Sequence, residues 1–436
     1  MINSNKHMMN KTIYLCAAAI LLASCSDKIV DERPVKPDSE ESGYITTKYQ
    51  NPVIRNNCPD PSVFDDRERT GYFYAYSTQN GTSDTEGVVY LPVYRSADMV
   101  NWELVGNAFG GMNRPQWVAG TRIWAPDMEY IDGRYVLYYA EGHWNDPSKS
   151  ACGVAVSDSP TGPFTWENVP DIQPLANPHG MLVDFASQGV SNAIDANIIR
   201  DQKTGEIYLF WGSFGSNSGV WAIKLTDDGL AVAPGAQKTF ICYEMEGTYM
   251  HYKNGYYYCF GSKGTCCAGS SSTYHIVVGR SQNILGPYVG KDGKRMDTKS
   301  SAFDNATNTI MSSSSSKMFA GTGHNAEIIT DDKGKDWMCY HAYWKNNNYN
   351  GRCMNMDQVE WGDGWPYFAD GEPTEGKVSG PTWKDPDVKS FTAKVVDNDG
   401  AGPLVETGDP CGCRNTWSFS ELYNNGYEVQ FPQSMK

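Results

Sequence analysis

Positive charge is scarce in this sequence: 36 Lys and Arg stand against 51 Asp and Glu, a formal net charge of −15. That balance disfavours any polyanionic partner, and nucleic acid with it. No second long apolar run follows the first 24 residues, so nothing after them reads as a membrane span. A sustained 3.6-residue period with caps and breakers is also missing, which removes the helical fold classes. The 12 cysteines include no paired C-x-x-C, which argues against a structural zinc site. Aromatics and glycine, by contrast, are plentiful: 27 Tyr, 13 Trp and 43 Gly. They suit twisted sheets with stacking surfaces, and a sugar is the ligand class that suits Tyr and Trp, each a flat apolar face with a polar edge. A chain of 436 residues has room for one large all-β domain or two average ones.

Lys6 and Lys11 precede an apolar run, Ile13 to Ala23, too short to cross a bilayer and followed at once by small residues. Leu22-Ala23-Ser24-Cys25 resembles the lipobox of bacterial lipoproteins, which implies cleavage before Cys25 and acylation of its thiol. An ordinary secretory cleavage site beside an incidental Cys is the alternative. The resemblance implies a lipid-anchored protein of the cell envelope, expected in the outer membrane, and a monomer. The expected organisation is a signal peptide over 1–24, a polar, acidic tether over 25–43, a catalytic domain over 44–380 and an extension of unknown role over 381–436. Export permits disulfides. The adjacent Cys266 and Cys267 form either an eight-membered disulfide ring that shapes a loop or two free thiols.

Five times the chain passes a glycine-containing turn into a short aromatic or β-branched run: TGYFYAYST, DGRYVLYYAEG, TGEIYLFWGSFG, NGYYYCFGSKG and KGKDWMCYHAYW. The turn glycines are Gly71, Gly133, Gly205, Gly255 and Gly334, 50 to 79 residues apart, the range of one multi-strand blade with insertions. Each turn joins two β-type runs, as in a hairpin. Upstream of the five glycines by 11, 6, 10, 9 and 10 residues stand Asp60, Asp127, Asp195, Glu246 and His324, each opening the first strand of its hairpin. This predicts an all-β, five-bladed β-propeller with a short C-terminal extension, its innermost strands starting at one end of the axis. The five polar residues then converge on one pocket. A lone Asp there would be read as a turn cap; the recurrence points instead to a site.

Carboxylates facing an aromatic-rich pocket suggest acetal hydrolysis, in which one acid protonates the leaving oxygen and one base acts on water or sugar. Asp60, fixed between Pro59 and Pro61, suits the base; Glu246, with no cation near it in sequence, suits the acid; Asp195 is a third carboxylate whose charge would raise the acid's pKa.

These residues carry a family resemblance. CPDPSVF, WAPD at Trp124 to Asp127, AIDANIIRD and MEGTYMHYKNGYYY resemble the strand openings of glycoside hydrolase family 43. YLFWGSF, Cys266-Cys267-Ala268-Gly269 with Ser272-Thr273-Tyr274, and VGRSQNILGPY are similar to its endo-acting α-1,5-L-arabinanases. The resemblance spans about residues 50–370 and implies an inverting hydrolase of arabinan. It makes Asp60 the general base, Asp195 the pKa modulator and Glu246 the general acid, with Thr248 standing where proline often follows the glycine. It further implies sugar contacts for Trp124, Asp127 and Arg352, a calcium ion at His324, and no organic cofactor. A buried role for Trp124, a plain salt bridge for Arg352 and a channel-filling His324 are the alternatives. Competing functions are an exo-acting α-L-arabinofuranosidase or β-xylosidase on the same fold, and a catalytically silent glycan-binding lipoprotein; the three carboxylates argue against the last. Inversion expects the two catalytic carboxyls roughly 6.5 to 9.5 Å apart.

Overall fold

The turns that punctuate the sequence adopt the backbone they need. Asp132-Gly133 and Asn254-Gly255 both have positive φ at each residue (49° and 82°; 51° and 84°), as a two-residue hairpin turn of type I′ requires. In this computed structural model the described residues are 43–385, apart from 81–88, 111–113, 116, 118–119, 167–179, 215–218, 299–302 and 346–350, together with strands 393–397, 405–407 and 427–430. The expected signal peptide, the expected anchor at Cys25, nearly all of the expected tether, Cys411 and Cys413 lie outside them.

Five four-stranded antiparallel sheets, each from one contiguous stretch of chain, make a five-bladed β-propeller. After β1 (Tyr44–Tyr49), blade I comprises β2 (Ser62–Asp66), β3 (Tyr72–Tyr76), β4 (Pro92–Ser96) and β5 (Glu103–Asn107). Blade II comprises β6 (Arg122–Ile131), β7 (Arg134–Gly142), β8 (Ala151–Ser157) and β9 (Met181–Asp184). Blade III comprises β10 (Asn197–Arg200), β11 (Ile207–Trp211), β12 (Val220–Lys224) and β13 (Thr239–Cys242). Blade IV comprises β14 (Glu246–Lys253), β15 (Tyr256–Lys263), β16 (His275–Ser281) and β17 (Thr309–Met311). Blade V comprises β18 (Phe319–Thr330), β19 (Asp336–Trp344), β20 (Arg352–Gly362) and β21 (Trp365–Tyr367). The chain then forms β22 (Val378–Lys384), which pairs with β1, and a three-stranded sheet of β23 (Ala393–Asp397), β24 (Val405–Thr407) and β25 (Tyr427–Gln430). β22 thus runs past residue 380, where the sequence suggested the domain would end.

Side chains alternate across a strand, so a strand sandwiched between two neighbours must be apolar on both faces. This accounts for the aromatic runs. In β15, Tyr257 and Cys259 pack toward blade III with Phe210, Val220 and Met250, while Tyr258 and Phe260 pack toward blade V with Met338 and Tyr340. Comparable clusters fill the I/II, II/III and V/I seams. Truncating one such aromatic to alanine costs about 3–5 kcal/mol.

Near the axis, at four of the five seams, an innermost strand also offers a side chain to the backbone of the next. Ser62 Oγ accepts from Met128 N (3.2 Å), Asp127 Oδ2 from Ile198 N (2.6 Å) and Asn197 Oδ1 from Met250 N (2.9 Å). Glu327 makes the contact from blade V to blade I, accepting from Val63 N and from Ser62 Oγ (2.7 Å). Because no blade mixes strands from the two ends of the chain, this contact, the V/I seam and the β1–β22 pair close the ring.

Candidate active site

Near the opening of the innermost strand of every blade stands a residue with left-handed backbone: Asp60 (φ 53°) and Asp195 (58°) just before β2 and β10, and Ala125 (40°), Gly247 (56°) and His324 (45°) within β6, β14 and β18. Asp and His are enriched in this region and glycine enters it freely, so part of the recurrence seen in sequence is a backbone requirement. Four of these residues donate their N–H to a side chain of the preceding blade. Ala125 N donates to Thr78 Oγ1 (2.9 Å), Gly247 N to Asp195 Oδ2 (2.9 Å), His324 N to Ser262 Oγ (2.8 Å) and Asp60 N to His341 Nδ1 (3.2 Å). The conformation is thereby locked by the neighbouring blade, and the side chains it carries converge on the axis.

Asp60, Asp195, Glu246 and His324 come together there; Asp127 does not join them. Asp60 is buried, its Oδ1 2.7 Å from Arg352 Nη1, 3.2 Å from His324 Nδ1 and 3.0 Å from His341 Nδ1, and its Oδ2 accepts from Thr78 Oγ1 at 2.6 Å. Burial alone would raise its carboxyl pKa, but the Arg352 guanidinium and His324 outweigh it and hold the group well below the usual carboxylate range. Arg352, for which the sequence left a sugar contact and a salt bridge open, is an ion-pair partner of Asp60. Asp195 is pushed up to about 7 by burial and by the charges of Glu246 and Asp60, against the opposing pull of His324 and the Gly247 N–H. His324 is raised by Asp60, Asp195 and Glu246 in spite of burial. His341 is lowered to about 4, first by burial and then by Arg352.

Glu246 is half-buried, and both of its oxygens accept hydrogen bonds, Oε2 from Ser213 Oγ and Oε1 from Tyr274 OH (3.0 Å). It precedes Gly247, where a Cβ would lie 2.9 Å from the His324 ring, so the bend beside the carboxylate has no room for a side chain. Lys263 Nζ donates to the carbonyls of Tyr243 (3.3 Å) and Glu244 (2.8 Å), fixing the approach to this bend. Thr248 follows the left-handed residue, the place held by Pro61 and Pro126 in blades I and II, and falls where β14 and β15 lose register. Its buried hydroxyl has no hydrogen-bond partner among the described residues. Thr248→Val removes that unsatisfied group at constant shape and is expected to leave the hydrolytic rate unchanged and the melting temperature equal or about 1–3 °C higher, by calorimetry.

Asp127 stands two residues beyond the left-handed Ala125, past the irregular pairing between Trp124 and Asp127, and so belongs to the axial ring with Ser62 and Asn197. Its shorter spacing from the turn glycine, 6 residues against 9 to 11 elsewhere, was the sequence sign of that offset. Burial and the neighbouring Glu327 and Glu129 hold its carboxyl well above the usual range. The folded state therefore keeps a proton that the unfolded chain releases above about pH 4, so this group's contribution to stability falls as pH rises through that window. Asp127→Asn keeps an acceptor for Ile198 N and removes the titration. The variant is expected to retain hydrolysis within about threefold, and its melting temperature should improve relative to wild type by about 1–3 °C between pH 4 and pH 8. A large loss of activity with folding intact would instead place Asp127 on the substrate.

Trp124 is half-buried against the II/III cluster and edge-on to Trp144 (6.0 Å between centroids), which is 71% exposed. Since Arg122 pairs with Gly142, Trp144 lies just beyond the β7 end that borders the strand openings. Among the described residues no group of three His, Cys, Asp or Glu side chains is placed to hold a metal ion, and His324 Nδ1 faces Asp60.

As site residues Thr78, Ser213, Ser262, Tyr274 and His341 escaped the sequence reading, although Ser213 and Tyr274 lay in motifs that carry the family resemblance. The first three end or follow second strands in YAYST, FWGS and FGS, and that repeated small hydroxyl after an aromatic run was the available signal.

The glycosyl hydrolases family 43 profile matches residues 49–366. The chain is 30% identical over 326 residues to the extracellular exo-α-(1→5)-L-arabinofuranosidase of Cellvibrio japonicus, covering 69% of this chain and 84% of that protein. It is equally 30% identical, over 306 residues, to the extracellular endo-α-(1→5)-L-arabinanase 1 of Bacillus subtilis, covering 67% and 83%. The α-L-arabinanase of Cellvibrio cellulosa, solved with arabinohexaose, superposes with a TM-score of 0.57 at 27% identity over 72% of this chain and 96% of that one. With the propeller and the axial cluster of carboxylates, these likenesses establish that the chain belongs to glycosyl hydrolase family 43 and is an arabinanase-like glycoside hydrolase.

Proposed function

We propose that this protein cleaves α-1,5-linked L-arabinan within the chain, with inversion at the anomeric carbon. The observation that carries the reading is the unequal setting of two carboxylates at one end of the axis. Asp60 is locked into its charged form by Arg352 and His324, as a base for water must be; Glu246 is half-exposed and oriented by two donors, as an acid meeting a leaving oxygen must be. In the proposed reaction Asp60 takes a proton from the attacking water while Glu246 gives one to the departing O5, breaking the glycosidic bond with an oxocarbenium-like transition state. Asp195 modulates the pair: it lies beside both carboxylates in charge and holds Gly247 N–H, the amide next to the acid. Trp124 and Trp144 supply an aromatic edge for furanose rings.

Exo action is the second reading, supported by the equal identity to the Cellvibrio japonicus enzyme. Digestion of linear debranched arabinan separates the two: oligomers of several lengths at early times are expected, and arabinose as the sole early product would replace the endo reading by the exo one. Proton NMR of the first product checks stereochemistry, with the β-anomer expected. The lipid anchor is part of the same proposal. Cys25→Ala should move the full-length protein from the membrane fraction to the soluble one.

A further inference from the structure

We propose that Tyr274 is a positioning residue for the acid Glu246, and that the loop closed by the Cys266–Cys267 disulfide holds it in place. The inference rests on the reading of Glu246 as general acid. Tyr274 OH donates to Glu246 Oε1 at 3.0 Å, while Ser213 occupies Oε2. Nothing about the Tyr274 ring is free to turn. It is buried, stacks on His341 at 5.5 Å with planes 12° apart, and covers Gly323, where a Cβ would lie 2.2 Å from the ring.

The backbone that presents it is equally constrained. Residues 264–274 form the loop between β15 and β16, beside the strand openings because Ser262 pairs with Glu246. Thr265 N donates to Thr273 Oγ1 (3.1 Å) and Thr273 N to Thr265 O (3.2 Å), which closes the loop's base. At its tip Cys266 and Cys267 are joined, and Ser272 Oγ ties the tip to the base, accepting from Ala268 N (2.9 Å) and donating to Cys266 O (3.2 Å). Ser272 also abuts Gly321, where a Cβ would meet it at 2.4 Å, so the loop is seated on the strand that carries His324.

A glutamic acid that delivers its proton becomes a carboxylate within the catalytic step. A phenol already aimed at one oxygen stabilises that charge as it forms, and because burial and then the Glu246 charge hold the Tyr274 hydroxyl well above the usual phenol range, it does not compete as an acid. Its contribution therefore belongs to the transition state in which a leaving group is protonated, and is absent when the leaving group needs no proton.

The test compares two substrates of the full-length enzyme, arabinohexaose and a 2,4-dinitrophenyl α-1,5-L-arabino-oligoside, whose phenolate departs unprotonated. Tyr274→Phe is expected to lower kcat on arabinohexaose about 10- to 100-fold with KM within about twofold, and to leave kcat on the dinitrophenyl substrate within about twofold. The Cys266→Ser/Cys267→Ser double variant should repeat this substrate dependence at smaller amplitude. A purely structural role would lower both substrates alike; that result, or no loss on arabinohexaose, overturns the role of Tyr274, and equal losses in the double variant overturn that of the loop. Glu246→Gln keeps the premises apart. If it hydrolyses arabinohexaose normally, the acid assignment fails; if it is inactive while Tyr274→Phe is unaffected, only the present inference fails.

Discussion

Asp60→Asn is expected to reduce hydrolysis of linear arabinan by about 10²- to 10⁴-fold, the usual worth of a positioned general base. The substitution keeps the size of the side chain and an acceptor for Thr78, but it removes the carboxylate charge that takes the proton from water in the proposed reaction. It also strips Arg352 and His324 of the anion between them, on side chains that are 11% to 16% exposed. Removing one partner of so buried a pair costs about 3–5 kcal/mol, so the melting temperature should fall by several degrees even if the fold survives. The two effects separate experimentally. Activity is measured well below the variant's own melting temperature and circular dichroism confirms the sheet signature. Arg352→Met serves as comparison: it breaks the same ion pair from the other side and should lose stability similarly while retaining the base. If Asp60→Asn and Arg352→Met lose equal activity, the defect is the broken ion pair and the base assignment falls.

Much of this arrangement was legible in the sequence because it repeats. Five turn glycines and five double-sided aromatic strands follow from burying each blade between two others, and a period of that kind survives without any knowledge of the contacts. Asp60, Asp195 and His324 were found for a mixed reason: each is polar enough for chemistry, and each is also a residue type that tolerates the left-handed backbone on which the strand opens. The same recurrence misled at blade II. There the left-handed residue is Ala125, and the polar residue two positions later, Asp127, serves the axial ring.

What stayed hidden lies between blades. The partners of Asp60 come from blades I and V, nearly 300 positions apart in the case of Arg352, and those of Glu246 from blades III and IV. No local pattern encodes which hydroxyl faces which carboxylate, since that depends on how the neighbouring sheet is rotated into the seam. The pairing of Cys266 with Cys267 was readable only as one of two options, and its relation to Tyr274 and Glu246 needed the loop's fold.

Glu246→Gln should abolish hydrolysis of arabinan to about 10⁻² to 10⁻⁴ of wild type while sparing a substrate that needs no acid. Glutamine reproduces the volume of the side chain and can still accept from Tyr274 through its carbonyl oxygen, so the neighbourhood of the bend at Gly247 is preserved. What it cannot do is deliver a proton to O5 of the departing arabinose unit. An alkoxide is a far worse leaving group than a phenolate carrying two nitro groups, so the deficit should nearly vanish on a 2,4-dinitrophenyl arabino-oligoside, with kcat within about tenfold of wild type. Asp60→Asn provides the contrast, because water must still be activated whichever group leaves, and its deficit should persist on both substrates. Four rates therefore assign two roles. A Glu246→Gln enzyme equally impaired on both substrates would show that Glu246 acts on something other than the leaving oxygen, and the assignment of acid and base to the two ends of this cluster would have to be withdrawn.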